Sequence, residues 1–144
     1  MNVRTVQPGD ETSIALLLSQ LGYPTSPDQM RLRLARIEQR GGITSLVAVE
    51  AEQVIGFAAV ERFASFSDDQ PVGRVVVMVV DEQRRGEGIG SALLAACESV
   101  LIAAGAERIV LTSAHRRAGA HRFYERHGYA STGLRFAKLV GPAR

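Results

Sequence analysis

Residues 79–94, VVDEQRRGEGIGSALL, decide the fold. A valine-rich run breaks into Arg84-Arg85-Gly86-Glu87-Gly88-Ile89-Gly90 and passes directly into Ser91-Ala92-Leu93-Leu94, which reads as strand, glycine loop, helix. Glycines at 86, 88 and 90 let the backbone turn tightly and approach a ligand with no Cβ in the way. A helix that begins there aims unpaired N–H groups and a partial positive charge at the loop, and a phosphate or pyrophosphate is the natural occupant. Arg84 and Arg85 flank that position. Two common glycine loops are excluded. The dinucleotide fingerprint G-x-G-x-x-G needs its third glycine where this chain has Ser91. It also needs an acidic residue at a strand end about 20 residues on, where the chain has Glu107-Arg108 at a strand start. A P-loop needs Gly-Lys-Ser/Thr, which does not follow.

A second stretch narrows the reading. In residues 118–138, AGAHRFYERHGYASTGLRFAK, the side chains of Ala120, Phe123, Tyr124 and His127 fall on one side of a helix, and Gly128 suits its C-terminal cap. The string Gln83-Arg84-Arg85-Gly86-Glu87-Gly88 fits Q/R-x-x-G-x-G/A. It resembles the acetyl-CoA-binding signature of the GCN5-related N-acetyltransferase (GNAT) superfamily. The string A-x-x-F-Y-E-R-x-G-Y, beginning at Ala120, resembles that superfamily's second motif. The two together, in this order and with Tyr124 38 residues after Gly86, are far more specific than either alone.

At 144 residues the chain suits one well-buried domain, and a single domain over 1–144 is expected. Hydrophobic residues make up 46% of it, yet no apolar stretch reaches membrane-spanning length. MNVRTVQPGDETS lacks the apolar core of a signal peptide, so a cytoplasmic protein is expected. The formal charge of +2 is no nucleic-acid footprint by itself, and no membrane partner is expected. Cys97 is the one cysteine, so no intrachain disulfide can form; beside Leu93, Leu94 and Leu101 it reads as a buried small hydrophobe. His121 and His127 stand about 240° apart around a helix, and no metal site is expected.

From the N-terminus, Val3–Val6 alternates as a strand, and Asp10 or Thr12 can cap a helix with Ile14, Leu17, Leu18 and Leu21 as its apolar stripe. Ser26-Pro27-Asp28 opens a second helix to about Arg40. Its arginines, interrupted by Asp28 and Glu38, read as a solvated face. Strands 46–50 and 54–62 pair as a hairpin, and 74–80, nearly all valine, reads as a strand buried on both faces. The glycine loop, a helix to about Ala104, a strand 108–112, the second-motif helix and a strand-like 134–140 follow. The order is that of the GNAT fold: an α/β protein whose central mixed sheet of six to seven strands is flanked by four helices. Segment 134–140 supplies one clear strand where the superfamily usually has two.

The resemblance implies an enzyme in which a substrate amine attacks the thioester of acetyl-CoA, with both bound. A base or water must take the amine's proton, the tetrahedral oxyanion needs donors, and the departing thiolate benefits from a proton. Carried onto this chain, the resemblance implies that Met78, Val79 and Val80 pair with the pantetheine arm, with the oxyanion donor a main-chain N–H of Met78 or Val79. Backbone amides of Arg85, Gly86, Gly88, Gly90 and Ser91 hold the pyrophosphate, and Tyr124 protonates the sulfur. Many relatives carry an asparagine where this chain has Arg117; the resemblance leaves two readings for Arg116 and Arg117, a contact to a CoA phosphate or a solvated arginine. Glu61 is the first candidate base and His115 the second.

Three readings compete. An acetyl-CoA-dependent N-acetyltransferase leads. A non-catalytic acetyl-CoA-binding regulatory domain of the same fold is the second, disfavoured because a pure binder does not need the Tyr124 phenol. A nucleic-acid binder would need basic residues interleaved with exposed aromatics, and the few aromatics here are placed in motifs or core. The acceptor is a small-molecule or peptide amine. Tyr23, Phe63 and Phe66 are expected to form an aromatic wall for it. A second copy of the chain is admitted as a partner.

Overall fold

The computed structural model describes residues 1–112 and 118–142, and the chain divides into two units, Met1–Leu111 and Thr112–Arg144. The elements are β1 (Asn2–Thr5), α1 (Glu11–Leu21), α2 (Pro27–Arg40), β2 (Ile43–Glu50), β3 (Gln53–Phe63), β4 (Val72–Val80), a 3₁₀ turn (Glu82–Arg84), α3 (Ile89–Ala103), β5 (Arg108–Leu111) and α4 (Ala118–Arg126).

In the first unit the five strands form one sheet in the order β1-β2-β3-β4-β5. Neighbours are antiparallel except β4 and β5, which are parallel and joined through α3. That is the expected crossover. The β2–β3 hairpin closes on Ala51 and Glu52, both left-handed (φ 49° and 64°). A turn of that kind matches the natural strand twist. Ser26 and Gln29 form a reciprocal capping box at the start of α2, with Pro27 at its first position. Asp10 does not cap α1 through its side chain. Its carboxylate instead accepts from the Gln7 N–H (2.8 Å) and from Arg4 (2.8 and 3.1 Å), tying β1 to α1. The Arg4 guanidinium lowers the Asp10 pKa.

One sheet face packs on α1 and α2. Ile14, Ala15, Leu17 and Met30 bury against Val47, Phe57, Ala59 and Val79. The other face carries α3, whose buried stripe Ile89, Leu93, Cys97 and Leu101 repeats every fourth residue. Cys97 is fully buried, and burial pushes its thiol up to about 11, which fits an inert core residue.

Two strand glycines set how closely α3 approaches. A Cβ on Gly56 would stand 2.8 Å from Leu93 Cδ1, and one on Gly73 2.8 Å from Leu101 Cδ1 and 3.0 Å from its Cγ. Leu101 is buried and has nowhere to retreat. Gly73→Ala is therefore expected to cost about 1–3 kcal/mol through overpacking. Denaturant unfolding should show a lower midpoint at unchanged slope, and an unchanged midpoint would mean that α3 rides looser on the sheet.

Two expectations are corrected. Six to seven strands were expected, and the described residues hold five. Segment 134–140 alternates apolar side chains as a strand would, but residues 130–142 form no regular element, and Leu134, Phe136, Leu139 and Val140 are exposed. Alternation makes a strand only where a partner completes its hydrogen-bond ladder. The valine strand is also not buried on both faces. Val76 is 47% exposed, because β4 bulges there.

Candidate active site

The bulge organises the first unit. Ala59 pairs with Val77 and Val60 with Val75, so Val76 is the extra residue on β4. The parallel pairing of β4 with β5 ends at Val75 and Leu111. Within this unit β4 therefore runs on from Val76 to Val80 with an open edge facing away from β3. The Asp81 N–H donates to the Ile55 carbonyl (2.9 Å), so Asp81 and Ile55 are a hydrogen-bonded pair. By alternation Val79 and Val77 also turn their polar groups to β3, while Met78 and Val80 turn theirs to the open edge. An extended ligand can add there as a further strand, through two of the three residues named from the sequence. Of the two main-chain N–H groups named from the sequence as oxyanion donors, that of Val79 faces β3 and that of Met78 faces the open edge.

The strand delivers the chain into the glycine loop. Gly86 (φ 81°) and Gly88 (φ 84°) take left-handed conformations, and a Cβ on either would meet nothing within 4 Å. Here glycine is required by backbone geometry, and the space beside it is open. Gly88 is the N-cap of α3 and has no side chain to cap the helix. The first-turn N–H groups, at Ile89 and Gly90, point into the loop, and Ser91 completes that turn. Arg85 is extended and exposed at the loop's entrance.

Arg84 does something the sequence did not disclose. Its guanidinium holds both Glu87 of the loop (Nε at 3.0 and 3.1 Å) and Glu50 at the end of β2. Those carboxylates raise the Arg84 pKa, and Arg84 lowers that of Glu50. Arg84 thus pins the loop to the β2–β3 hairpin, and its charge is matched internally. Of the two flanking arginines, Arg85 is left to face an anion. Glu50 is 34 residues away, so no local pattern could have shown that contact.

Glu61 is buried, with its carboxylate between two guanidiniums, those of Arg74 on β4 and Arg40 at the end of α2 (3.1 Å). Hydrogen bonding to Arg74 is the first cause of its lowered pKa. A general base works best with a pKa near the operating pH. This pairing moves Glu61 away from that range and suits an anchor for arginines, so the strand-end base expected from the sequence is not what this environment makes.

The aromatic wall does not assemble. Phe63 pairs with Val72 at the start of β4, where the Arg74 guanidinium lies 5.0 Å over its ring. Tyr23 follows Gln20, whose side chain accepts from the Glu82 N–H beyond the end of β4 (3.0 Å). Val72 and Val80 are eight residues apart on one strand, roughly 26 Å. Tyr23 and Phe63 thus sit at opposite ends, and Phe66 is fully exposed in the connecting loop.

In the second unit α4 carries Tyr124. Its ring meets Phe123 (centroids 5.3 Å apart) and Tyr129 (5.9 Å) edge to face. The helix ends as expected at Gly128 (φ 90°), with the Tyr129 N–H returning to the Tyr124 carbonyl (3.0 Å). His115, Arg116 and Arg117 lie outside the described residues.

The family described as Acetyltransferase (GNAT) family matches residues 11–129. An aminoalkylphosphonate N-acetyltransferase of Salmonella typhimurium is 35% identical over 94 residues, 65% of this chain and 61% of that protein. A mycothiol acetyltransferase of Thermobispora bispora is 27% identical over 136 residues, 90% of this chain and 46% of that protein. The chain thus spans about half to three fifths of the length of these relatives. Among solved structures, a transcriptional regulator of Bacillus halodurans superposes with a TM-score of 0.85 at 21% identity, covering 95% of this chain and 99% of that one. A glucosamine-6-phosphate N-acetyltransferase of Arabidopsis thaliana does so at 0.81 and 20%, covering 97% and 98%. These two likenesses establish the fold.

Proposed function

The chain belongs to the acetyltransferase (GNAT) family, and from that premise we propose that it transfers the acetyl group of acetyl-CoA to a primary amine by direct attack with both substrates bound. The observation that carries this is the open edge of β4 leading into a glycine loop with room beside Gly86 and Gly88. The thioester supplies the activated acyl group. The chain's own residues do the rest. Met78 and Val80 present main-chain groups that hold an extended arm, and the Met78 N–H is the donor for the developing oxyanion. The amides of residues 85–91 and the start of α3 hold a pyrophosphate, and Arg84 fixes the loop through Glu50 and Glu87. Tyr124 is the proton donor to the departing sulfur. With Glu61 committed to two arginines, water takes the amine's proton. The 35% identical relative is named for an acceptor with an amine and a phosphonate, which supports a small-molecule acceptor over a protein lysine.

The test is release of free coenzyme A from acetyl-CoA across small amines, amino acids, polyamines and lysine peptides. Turnover with at least one amine class, and an acetyl amide as product, is the expected result. Tight acetyl-CoA binding with no transfer to any class would establish the regulatory-domain reading instead.

A further inference from the structure

Glu61 is nearly buried, its side chain 9% exposed, yet the two arginines it holds are not: the side chain of Arg40 is 65% exposed and that of Arg74 48%. One buried carboxylate between two guanidiniums leaves one net positive charge on two arginine side chains that are both largely open to solvent. Each guanidinium has five donors in a fixed fork, and one carboxylate cannot use them all. The Phe63 ring under Arg74 further fixes that side chain. The arginines arrive from different elements, α2 and β4, so their spacing is set by the fold.

The position matters as much as the charge. Phe57 and Ala59 pack on the α1/α2 face, and Glu61, two residues on, shares that face. Arg74 stands directly across from Glu61 and two residues before the bulge at Val76. That separation is about 7 Å along the strand, and Met78 is roughly 13 Å away. A short molecule with its amine at the bulge would bring a group a few bonds away within reach of Arg74.

We propose that Arg40 and Arg74, held apart by Glu61, bind an anionic group on the acceptor, so that the preferred acceptor is a short aminoalkyl phosphonate, phosphate or carboxylate. This rests on the acetyltransferase reading and names its substrate class. Glu61 is then a positioning residue.

The experiment pairs calorimetry with turnover on the whole chain. 2-Aminoethylphosphonate and β-alanine are the anionic amines, propylamine the uncharged one, and inorganic phosphate the anion without an amine. The wild-type protein should bind an anionic amine at least tenfold more tightly than propylamine. Arg40→Gln and Arg74→Gln should each weaken that binding about tenfold, the loss of one partly screened charge-assisted contact. In turnover the loss should fall on KM for the anionic amine and leave propylamine unchanged. Whether 2-aminoethylphosphonate or β-alanine binds more tightly assigns the anion, and either supports the site. Arg40→Gln leaves the Arg74–Glu61 pair in place, so it tests the site should Arg74→Gln misfold. Equal wild-type affinity for propylamine, unchanged anion preference in both variants, or phosphate binding as tightly as the anionic amines would overturn the proposal. Acetyl transfer without anion preference leaves the acetyltransferase reading standing. Arginine-dependent binding of an anionic amine, with no transfer to any amine, removes that reading and leaves the anion site.

Discussion

Tyr124→Phe is expected to lower kcat by about 10²–10⁴-fold, the usual worth of general-acid assistance. Phenylalanine keeps the ring, so the edge-to-face contacts with Phe123 and Tyr129 remain, as does the helix end at Gly128. What is removed is the hydroxyl alone. The thiolate must then leave unprotonated, which raises the barrier to breakdown of the tetrahedral intermediate and does not touch ground-state binding. The dissociation constant for acetyl-CoA, measured by calorimetry, should stay within about threefold of wild type, because ground-state contacts are kept. Single-turnover measurements isolate the chemical step. A loss under about threefold in that step would take Tyr124 out of the proton-donor role, since general-acid assistance is worth far more. A loss confined to acetyl-CoA affinity would make its hydroxyl a ground-state contact of the cofactor instead.

Local sequence foretold what local physics determines. Gly86 and Gly88 occupy a left-handed backbone region that favours glycine, so the loop between β4 and α3 was readable from the local sequence. Cys97 beside Leu93, Leu94 and Leu101 marked the buried face of α3 in the same way. The position of the bulge was hidden because the chain from Val75 to Val80 is nearly uniform in residue type. The extra residue changes which main-chain groups face the open edge without changing the hydrophobic pattern. Glu61 and Arg84 were misjudged for another reason. Their partners, Arg40 and Arg74 for one and Glu50 for the other, come from elements that only the folded sheet brings together. Glu61 looks like an exposed strand-end acid until α2 is placed over it. Tyr23 and Phe63 share a chemistry, not a place, because roughly 26 Å of strand separates the ends where they sit.

Gly88→Val is expected to remove acetyl-CoA binding, by 100-fold or more, while leaving a folded protein. Two effects act together. Gly88 sits at φ 84° and ψ 5°, where a side chain costs about 1–2 kcal/mol for an L-residue, and more for a β-branched one. The branched side chain also projects into the space beside the loop, where nothing lies within 4 Å of a Cβ. Because that space is open, no protein atom is displaced and the fold has no core clash to absorb, unlike Gly73→Ala, which presses on Leu101. The same openness is what a pyrophosphate needs in order to reach the amides at the start of α3. Saturating acetyl-CoA at about 100 times its dissociation constant stabilises the wild-type protein by about 2.7 kcal/mol. In the variant that thermal shift should vanish, with the ligand-free Tm lowered only by the backbone strain. Gly88→Ala separates the two effects, since it keeps most of the strain and little of the bulk, and it should retain a partial shift. An undiminished acetyl-CoA shift in Gly88→Val would place the pyrophosphate elsewhere and remove the 85–91 loop from the site.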